Sequence, residues 1–202
     1  MSKIALTPAA TGSGVFTISS PATSTDRTLT LPDEAGTVLT SVSSLASANL
    51  TGAVASGRMP AGSVLQVVNA TYGSSVSTST STAVTTGLTA NIIPTSASSK
   101  ILVLVNQAGV GKSNSTYVAL NLYRGTSLGV WTNLTQFEGE GGWTGTSTNN
   151  SIGSCSVCYL DSPATTSATT YTTYFRSVGN IAYAAVQSSS SVSTITLMEI
   201  AT

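Results

Sequence analysis

The segment that most constrains the fold is an unbroken apolar run, Ile101 to Val105, set between Lys100 and Asn106. It is too short to cross a membrane, which takes roughly 20 residues, and its β-branched residues disfavour an isolated helix. A short continuous apolar run is typical of a strand whose two faces are both covered. We therefore expect residues 100–106 to form a central strand of an all-β domain, with other segments packed above and below it.

Short segments with alternating apolar residues recur from residue 63 to the end of the chain. They predict strands at residues 63–68, 82–93, 100–106, 116–124, 127–134, 151–160, 170–178, 181–187 and 191–200. In the fourth segment Val118, Leu120 and Leu122 share one face. No stretch shows helical periodicity. Strands at this spacing predict a β-sandwich of jelly-roll or related topology over residues 62–202.

The first 61 residues divide into two parts. Residues 1–40 contain three short predicted strands, which bury too little apolar surface to be stable without copies of themselves or a docking partner. In residues 41–61, isolated apolar side chains recur every four or five positions: Leu45, Leu50, Val54 and Met59. This pattern fits either a flexible linker or a narrow shaft in which several chains wind around one axis, and we favour the shaft.

The charge composition excludes two classes of partner. Charged residues make up 7% of the chain, and seven basic residues balance seven acidic ones. A nucleic-acid binder needs a basic field, and so does a protein held on an anionic membrane. Because 41% of the residues are apolar, the chain is expected to fold, but it has few charges to keep its surface soluble. This favours a protein built into a larger assembly. Because the first residues lack the apolar stretch of a secretory signal, we expect synthesis in a bacterial-type cytosol.

Two N-terminal segments resemble the attachment region of tail-fibre and other virion fibre proteins of tailed bacteriophages, especially phages of marine bacteria and cyanobacteria. These segments are residues 12–18 (GSGVFTI) and 26–39 (DRTLTLPDEAGTVL). Four later segments are similar to the distal domains of such proteins: residues 62–68 (GSVLQVV), 98–105 (SSKILVLV), 159–164 (YLDSPA) and 194–200 (TITLMEI).

The resemblance implies a structural tail-fibre protein of the virion that forms a homotrimer. Residues 1–40 would attach it to other tail or head proteins, and candidate attachment residues are Phe16, Arg27, Leu29, Leu31 and Pro32. The C-terminal sandwich would then contact a glycan or protein on the host surface. A head-decoration fibre or a tail adaptor that touches only other virion proteins remains the alternative.

Catalysis finds little support in the sequence. The chain contains no His, which removes most Ser-His and Cys-His nucleophile pairs and the commonest metal ligand. The triplet ending at Ser113 has the Gly-Lys-Ser of a P-loop, but Asn106 occupies a required Gly position and an alternating strand follows. We therefore interpret residues 108–113 as a Gly-rich loop between strands. We expect no enzyme activity, no metal and no cofactor.

The two cysteines, Cys155 and Cys158, form a single C-x-x-C motif. A zinc site needs four ligands, and positions three apart on a strand face opposite sides of the sheet. We interpret both as reduced packing thiols, with intersubunit or redox chemistry as the alternative. The carboxylate pair Glu138 and Glu140 would suit a glycan-degrading tip, but such enzymes usually use long β-helices, so solvation of a loop is the preferred explanation.

The segment most typical of a contact surface is residues 136–150. It places Trp143 among Gly, Thr and Asn residues, near Glu138 and Glu140 and beside Asn149 and Asn150. An aromatic face can cover a sugar ring while amides supply hydrogen bonds. Trp143 therefore either contacts a receptor or folds back to close the end of the sandwich. We expect Trp131, in an alternating strand, to lie in the core or at a subunit interface.

Overall fold

The structure is a computed structural model that describes residues 10–15, 17, 19, 21–26, 28, 54–126, 129–179 and 182–202. The chain divides into two compact units, Met1–Thr51 and Gly52–Thr202. The described residues of the first unit are exposed and lie in turns, bends or irregular backbone. The predicted strands of residues 1–40 lie wholly or partly outside the described residues, as does most of the predicted shaft.

The second unit is a β-sandwich, as the sequence predicts. Its strands are β1 (Val64–Tyr72), β2 (Val76–Thr78), β3 (Val84–Ile92), β4 (Lys100–Lys112), β5 (Val118–Thr126), β6 (Trp131–Gly141), β7 (Asn150–Asp161), β8 (Thr169–Ser177), β9 (Ala184–Val186) and β10 (Ser193–Ile200). Short 3-10 turns at Ser56–Arg58 and Ser188–Ser190 precede β1 and β10. In the described part of the chain, no helix has the length and apolar character to span a bilayer.

The strand order is that of a jelly roll. One sheet has the order β1-β10-β4-β7, with β9 and β2 added beside the end of β4, and the other has the order β3-β8-β5-β6. All pairings are antiparallel. We call these the six-stranded and four-stranded sheets. The strand β2 was not predicted because three residues are too few to show an alternating pattern.

The core lies between the two sheets, and on strands such as β4 and β10 it uses alternate residues. On β5, Val118, Leu120 and Leu122 are fully buried, as predicted. On β4, the buried residues alternate with Leu102 and Leu104, which are only partly buried on the outer face. The expectation that both faces of residues 100–106 are covered is therefore wrong within the described chain, because a two-layer sandwich gives each sheet one solvent side.

The outer face of the six-stranded sheet carries a continuous apolar row. Register places Val67 opposite Met198, Met198 opposite Leu102, and Leu102 opposite Leu160. Val67 and Leu160 are exposed, the latter at 51% of its surface. We refer to these four residues as the outer apolar row. Cross-strand neighbours of this kind leave a stripe of apolar surface open to a partner.

A chain of buried polar side chains crosses the core and joins the two sheets. The Gln107 amide donates to Ser193 Oγ at 2.9 Å and accepts from Thr173 Oγ1 at 2.9 Å. Thr173 in turn lies 2.6 Å from Thr86 Oγ1 on β3. Polar groups are costly to bury without hydrogen-bond partners. The two sheets must therefore pack in the one relative position that pairs these side chains.

A buried carboxylate on β10 binds side chains of the neighbouring strand β1 and of the segment after β3. Glu199 is fully buried on β10. Its oxygens accept hydrogen bonds from Gln66 Nε2 at 2.6 Å and from the backbone N–H and hydroxyl of Thr95 at 2.7 Å. Burial raises the pKa of Glu199, but hydrogen bonds from Gln66, Ser99 and Thr95 outweigh it and hold the pKa below the usual 4.5.

Candidate functional site

The loop between β6 and β7 is held by the ammonium group of Lys112. Nζ donates to the carbonyl oxygens of Asn114 at 2.6 Å, Thr148 at 2.5 Å and Thr146 at 3.3 Å, and to the hydroxyl of Thr144 at 2.7 Å. The Lys112 side chain is 97% buried. An ammonium group has three protons, so four surrounding oxygens satisfy it without a carboxylate. The lysine thus serves as an internal support for residues 142–149, which we call the Trp143 loop.

The position of Lys112 corrects the interpretation of residues 108–113. They do not form a loop, because β4 continues through Lys112 and pairs with β7 over its whole length. The strand therefore carries the lysine under the Trp143 loop. Gly142, with φ of +77°, allows the close approach: a Cβ atom there would lie 3.0 Å from Lys112 Cγ.

Trp143 is half-exposed at the surface of this loop. Its ring lies 5.2 Å from the ring of Tyr117, centroid to centroid, at an interplanar angle of 78°. Its backbone N–H donates to the carbonyl of Glu140 at 2.9 Å. Because 49% of the side chain is exposed, Trp143 does not close the sandwich end as a buried plug. One side is anchored, and the rest is available for contact.

The predicted site residues Asn149 and Asn150 help to position the loop. Asn149 Oδ1 accepts a hydrogen bond from the Asn114 N–H at 3.3 Å, and Asn150 Nδ2 donates to the Gly142 carbonyl at 3.2 Å. One end of each side-chain amide therefore forms a hydrogen bond within the protein. Asn149 is exposed, so its other end faces solvent.

The carboxylates of Glu138 and Glu140 have different environments. Glu138 Oε1 accepts the backbone N–H groups of Gly139 and Glu140, both at 2.9 Å, and Oε2 lies 3.8 Å from Cys155 Sγ. Glu140 is exposed. Both residues lie on β6 rather than in a loop, so the loop-solvation explanation of this pair is wrong. Glu138 Oε1 instead binds the strand's own backbone.

The cysteines lie on opposite faces of β7, as the spacing predicts. Both are free thiols, and Cys155 is buried in the core as expected of a packing thiol. Cys158 is exposed, so its interpretation as a packing thiol is wrong. Burial, together with the charge and hydrogen bond of Glu138, raises the pKa of Cys155 to about 12. Within the described ranges, no group of three or more His, Cys, Asp or Glu residues could hold a metal ion.

Asp161, the remaining acid near the sandwich core, is engaged in an ion pair. Arg124 Nη1 lies 2.8 and 2.9 Å from its two carboxylate oxygens, and the Tyr171 hydroxyl donates to it at 2.7 Å. Burial, and then the hydrogen bond to Asp161, raise the pKa of Tyr171. This cluster ties β5, β7 and β8 together.

A second surface, on the outer face of the four-stranded sheet, was missed in the sequence. Trp131 lies there with 44% of its side chain exposed. Of its two expected positions, the core is therefore wrong, and the subunit interface stays a prediction. Its ring is 6.1 Å from that of Tyr174, which is 4.7 Å from that of Tyr123. Gly125 makes room, since a Cβ atom there would lie 2.6 Å from the Trp131 ring. The sequence does carry one signal for this surface: alternation along β8 places Tyr174 and Phe175 on opposite faces of the sheet.

The candidate attachment residues Phe16, Arg27, Leu29, Leu31 and Pro32 lie outside the described residues.

Comparison with known proteins yields distant structural neighbours and no match by sequence. No protein-family model and no curated protein sequence match the chain. A chain in the structure of the infectious bursal disease virus Gt strain aligns with a TM-score of 0.36 at 14% identity. The alignment covers 76% of this chain and 43% of that one, so the present chain spans less than half of its neighbour.

Proposed function

We propose that this chain is a structural fibre protein of a tailed-phage particle. Residues 1–40 would attach it to other virion proteins, and the sandwich would contact the host surface. The N-terminal resemblance to phage fibre proteins supports the virion assignment, and the low charge suits a protein packed in an assembly. The contact function is carried by one observation: a half-exposed tryptophan on a loop that a buried lysine already holds in place.

A fixed loop is suited to binding because it is ordered before the ligand arrives. Ordering mobile groups on association costs roughly 0.5–1.5 kcal/mol for each flexible side chain. Three hydrogen bonds from Lys112, to Thr144, Thr146 and Thr148, pre-organise the Trp143 loop in the free protein. Trp143, Glu140 and Asn149 are exposed on the loop and beside it. We assign them to contact with a glycan or protein of the host cell.

Binding rather than catalysis also fits the environment of the acids. A glycosidase needs two carboxyl groups facing a shared substrate space. Glu138 is bonded to backbone N–H groups, and Asp161 is paired with Arg124. Neither carboxylate is therefore presented to a ligand.

The outer apolar row supports self-association. Val67, Met198, Leu102 and Leu160 form a stripe across four strands, and a second copy of the chain presents the same uncharged surface. We propose that copies meet through this row in a homotrimer. Apolar surface of this kind is typical of lasting interfaces rather than of sites for soluble ligands.

The virion assignment is tested by electron microscopy of phage particles recovered from cells that carry this gene. An antibody raised against residues 54–202 and coupled to gold should label the tail. Label on the head would favour the decoration-fibre alternative. Particles without label would contradict a virion role.

The contact function is tested by adsorption of the fluorescently labelled full-length chain to the same cells. Trp143→Ala should lower the bound fraction by about tenfold, the scale of a binding hot spot of 1–2 kcal/mol. Its melting temperature should change little, because half of the ring is already exposed. Val192→Ala, another exposed apolar position at 52% exposure, is the matched control. Equal adsorption by the Trp143→Ala and control variants would remove the loop from the contact surface.

A further inference from the structure

The outer face of the four-stranded sheet contains a shallow depression of about 210 Å³. Side chains around it include Asn121, Tyr123, Asn133, Gln136 and Arg176. We call it the Arg176 depression. Register explains why these residues meet: Asn121 pairs with Gln136 on β6, and Tyr123 pairs with Asn133. On the β8 side, Ala119 pairs with Arg176 and Asn121 with Tyr174.

Arg176 is the charged group among the side chains around this depression. The side chain is partly buried. Among the residues that the structure describes, it has no ion pair, since the one salt bridge there joins Arg124 to Asp161. A guanidinium group that is half withdrawn from water favours a carboxylate, which it binds through two parallel hydrogen bonds.

The remaining groups are matched to a sugar. Amides both donate and accept, as sugar hydroxyls do. Asn121 Nδ2 points to Asn133 Oδ1 at 3.4 Å, which orders the two amides relative to each other. Tyr123 and Tyr174 are in ring contact beside them, and Trp131 extends the same aromatic surface. Aromatic rings of this kind pack against the C–H faces of a pyranose.

Size and position distinguish this ligand from a peptide. The volume lies below the roughly 300–1,000 Å³ of pockets for drug-sized ligands, so one sugar ring would fill it and neighbouring rings would lie on the aromatic surface. A peptide strand would add to an open sheet edge, whereas these side chains stand on the face of the sheet. We propose that the Arg176 depression binds an acidic saccharide, with its carboxylate on Arg176 and its ring against Tyr123 and Tyr174.

This inference does not rest on the virion assignment or on the Trp143 loop. It is tested with the purified full-length chain on an array of oligosaccharides that carry uronate or sialate groups, together with the corresponding methyl esters. We expect binding to acidic members and loss of about tenfold or more in affinity for their esters. Binding should weaken as salt is raised.

Arg176→Gln should lower the affinity by at least the same factor, and Tyr174→Ala should lower it independently. The matched control is Arg58→Gln, because Arg58 is exposed and lies outside the sandwich strands. Melting curves of all variants distinguish a loss of binding from a loss of folding.

Three results would overturn the proposal. One is the absence of binding to every acidic saccharide, and another is equal binding to acids and esters. The third is a change of solution mass in Tyr174→Ala, which would show that a second copy of the chain occupies this face.

Discussion

Replacing Lys112 with Met tests whether one buried ammonium group organises the Trp143 loop. Methionine keeps an apolar stem of similar length but removes the four hydrogen bonds of Nζ, at 2.5–3.3 Å. Three of them reach oxygens of the Trp143 loop, and the fourth reaches the Asn114 carbonyl. Hydrogen bonds to a charged group contribute roughly 1.5–3 kcal/mol each at most, and the sum is not additive. Because the loop lies at the surface, water can reach some of the freed oxygens. We therefore expect a net loss of about 2 kcal/mol.

For a domain of this size, such a loss lowers the melting temperature by roughly 4–8 °C. Thermal unfolding followed by circular dichroism measures it, and hydrogen exchange should accelerate at residues 142–149. Lys100→Met is the matched control: Lys100 is exposed at the start of the same strand and should shift stability by less than about 0.5 kcal/mol. If the two variants melt together and exchange alike, the lysine does not hold the loop.

Three further outcomes follow from the same structure. The hydrogen bonds that depress the pKa of Glu199 stabilise the fold above its usual pKa near 4.5, and this stability is lost as pH falls through the lower folded value. The urea concentration at the unfolding midpoint should therefore fall more on acidification for the native chain than for Glu199→Gln. The same dependence of the midpoint on pH in both proteins would contradict this. A thiol reagent should label Cys158 in the native state and Cys155 only after unfolding; labelling of both in the native state would show that the core opens readily. Leu160→Glu should reduce the solution mass from three times 20.3 kDa to 20.3 kDa, while Ile93→Glu, at a position 61% exposed, should leave it unchanged. Equal masses for the native chain and Leu160→Glu would remove the outer apolar row from the interface.

The strands of the sandwich could be predicted because their signals are local. The alternation of Val118, Leu120 and Leu122 identifies both the strand and its buried face. The run around Val103 was harder to interpret, because an unbroken apolar segment is the same whether one face or both are covered. Leu102 and Leu104 face outward and are only partly covered by the described residues. Sequence alone therefore identified the strand but not the coverage of its outer face.

The support of the Trp143 loop could not be predicted for a different reason. Lys112 is separated by 32 residues from Thr144, and three of its four acceptors are backbone carbonyls. Carbonyl groups are present at every residue and leave no signature in a sequence. The exposure of Trp131 was hidden by register shifts between β5 and β6, since a shift of one residue exchanges the two faces of a strand.

The opposite orientations of the two sheets make the proposed surfaces compatible. In a two-layer sandwich the outer faces point away from each other, so copies that meet through the outer apolar row leave the Arg176 depression free. The chemistry of the faces follows the same division: one presents Leu102 and Leu160, and the other presents Trp131 and Arg176. A stripe without charge gains stability from a like surface, whereas a guanidinium with no ion pair among the described residues gains it from an anion. If Leu160→Glu yields a monomer that still binds acidic saccharides, the two faces act independently. Loss of saccharide binding in that folded monomer would instead mean that each depression is completed by a neighbouring subunit.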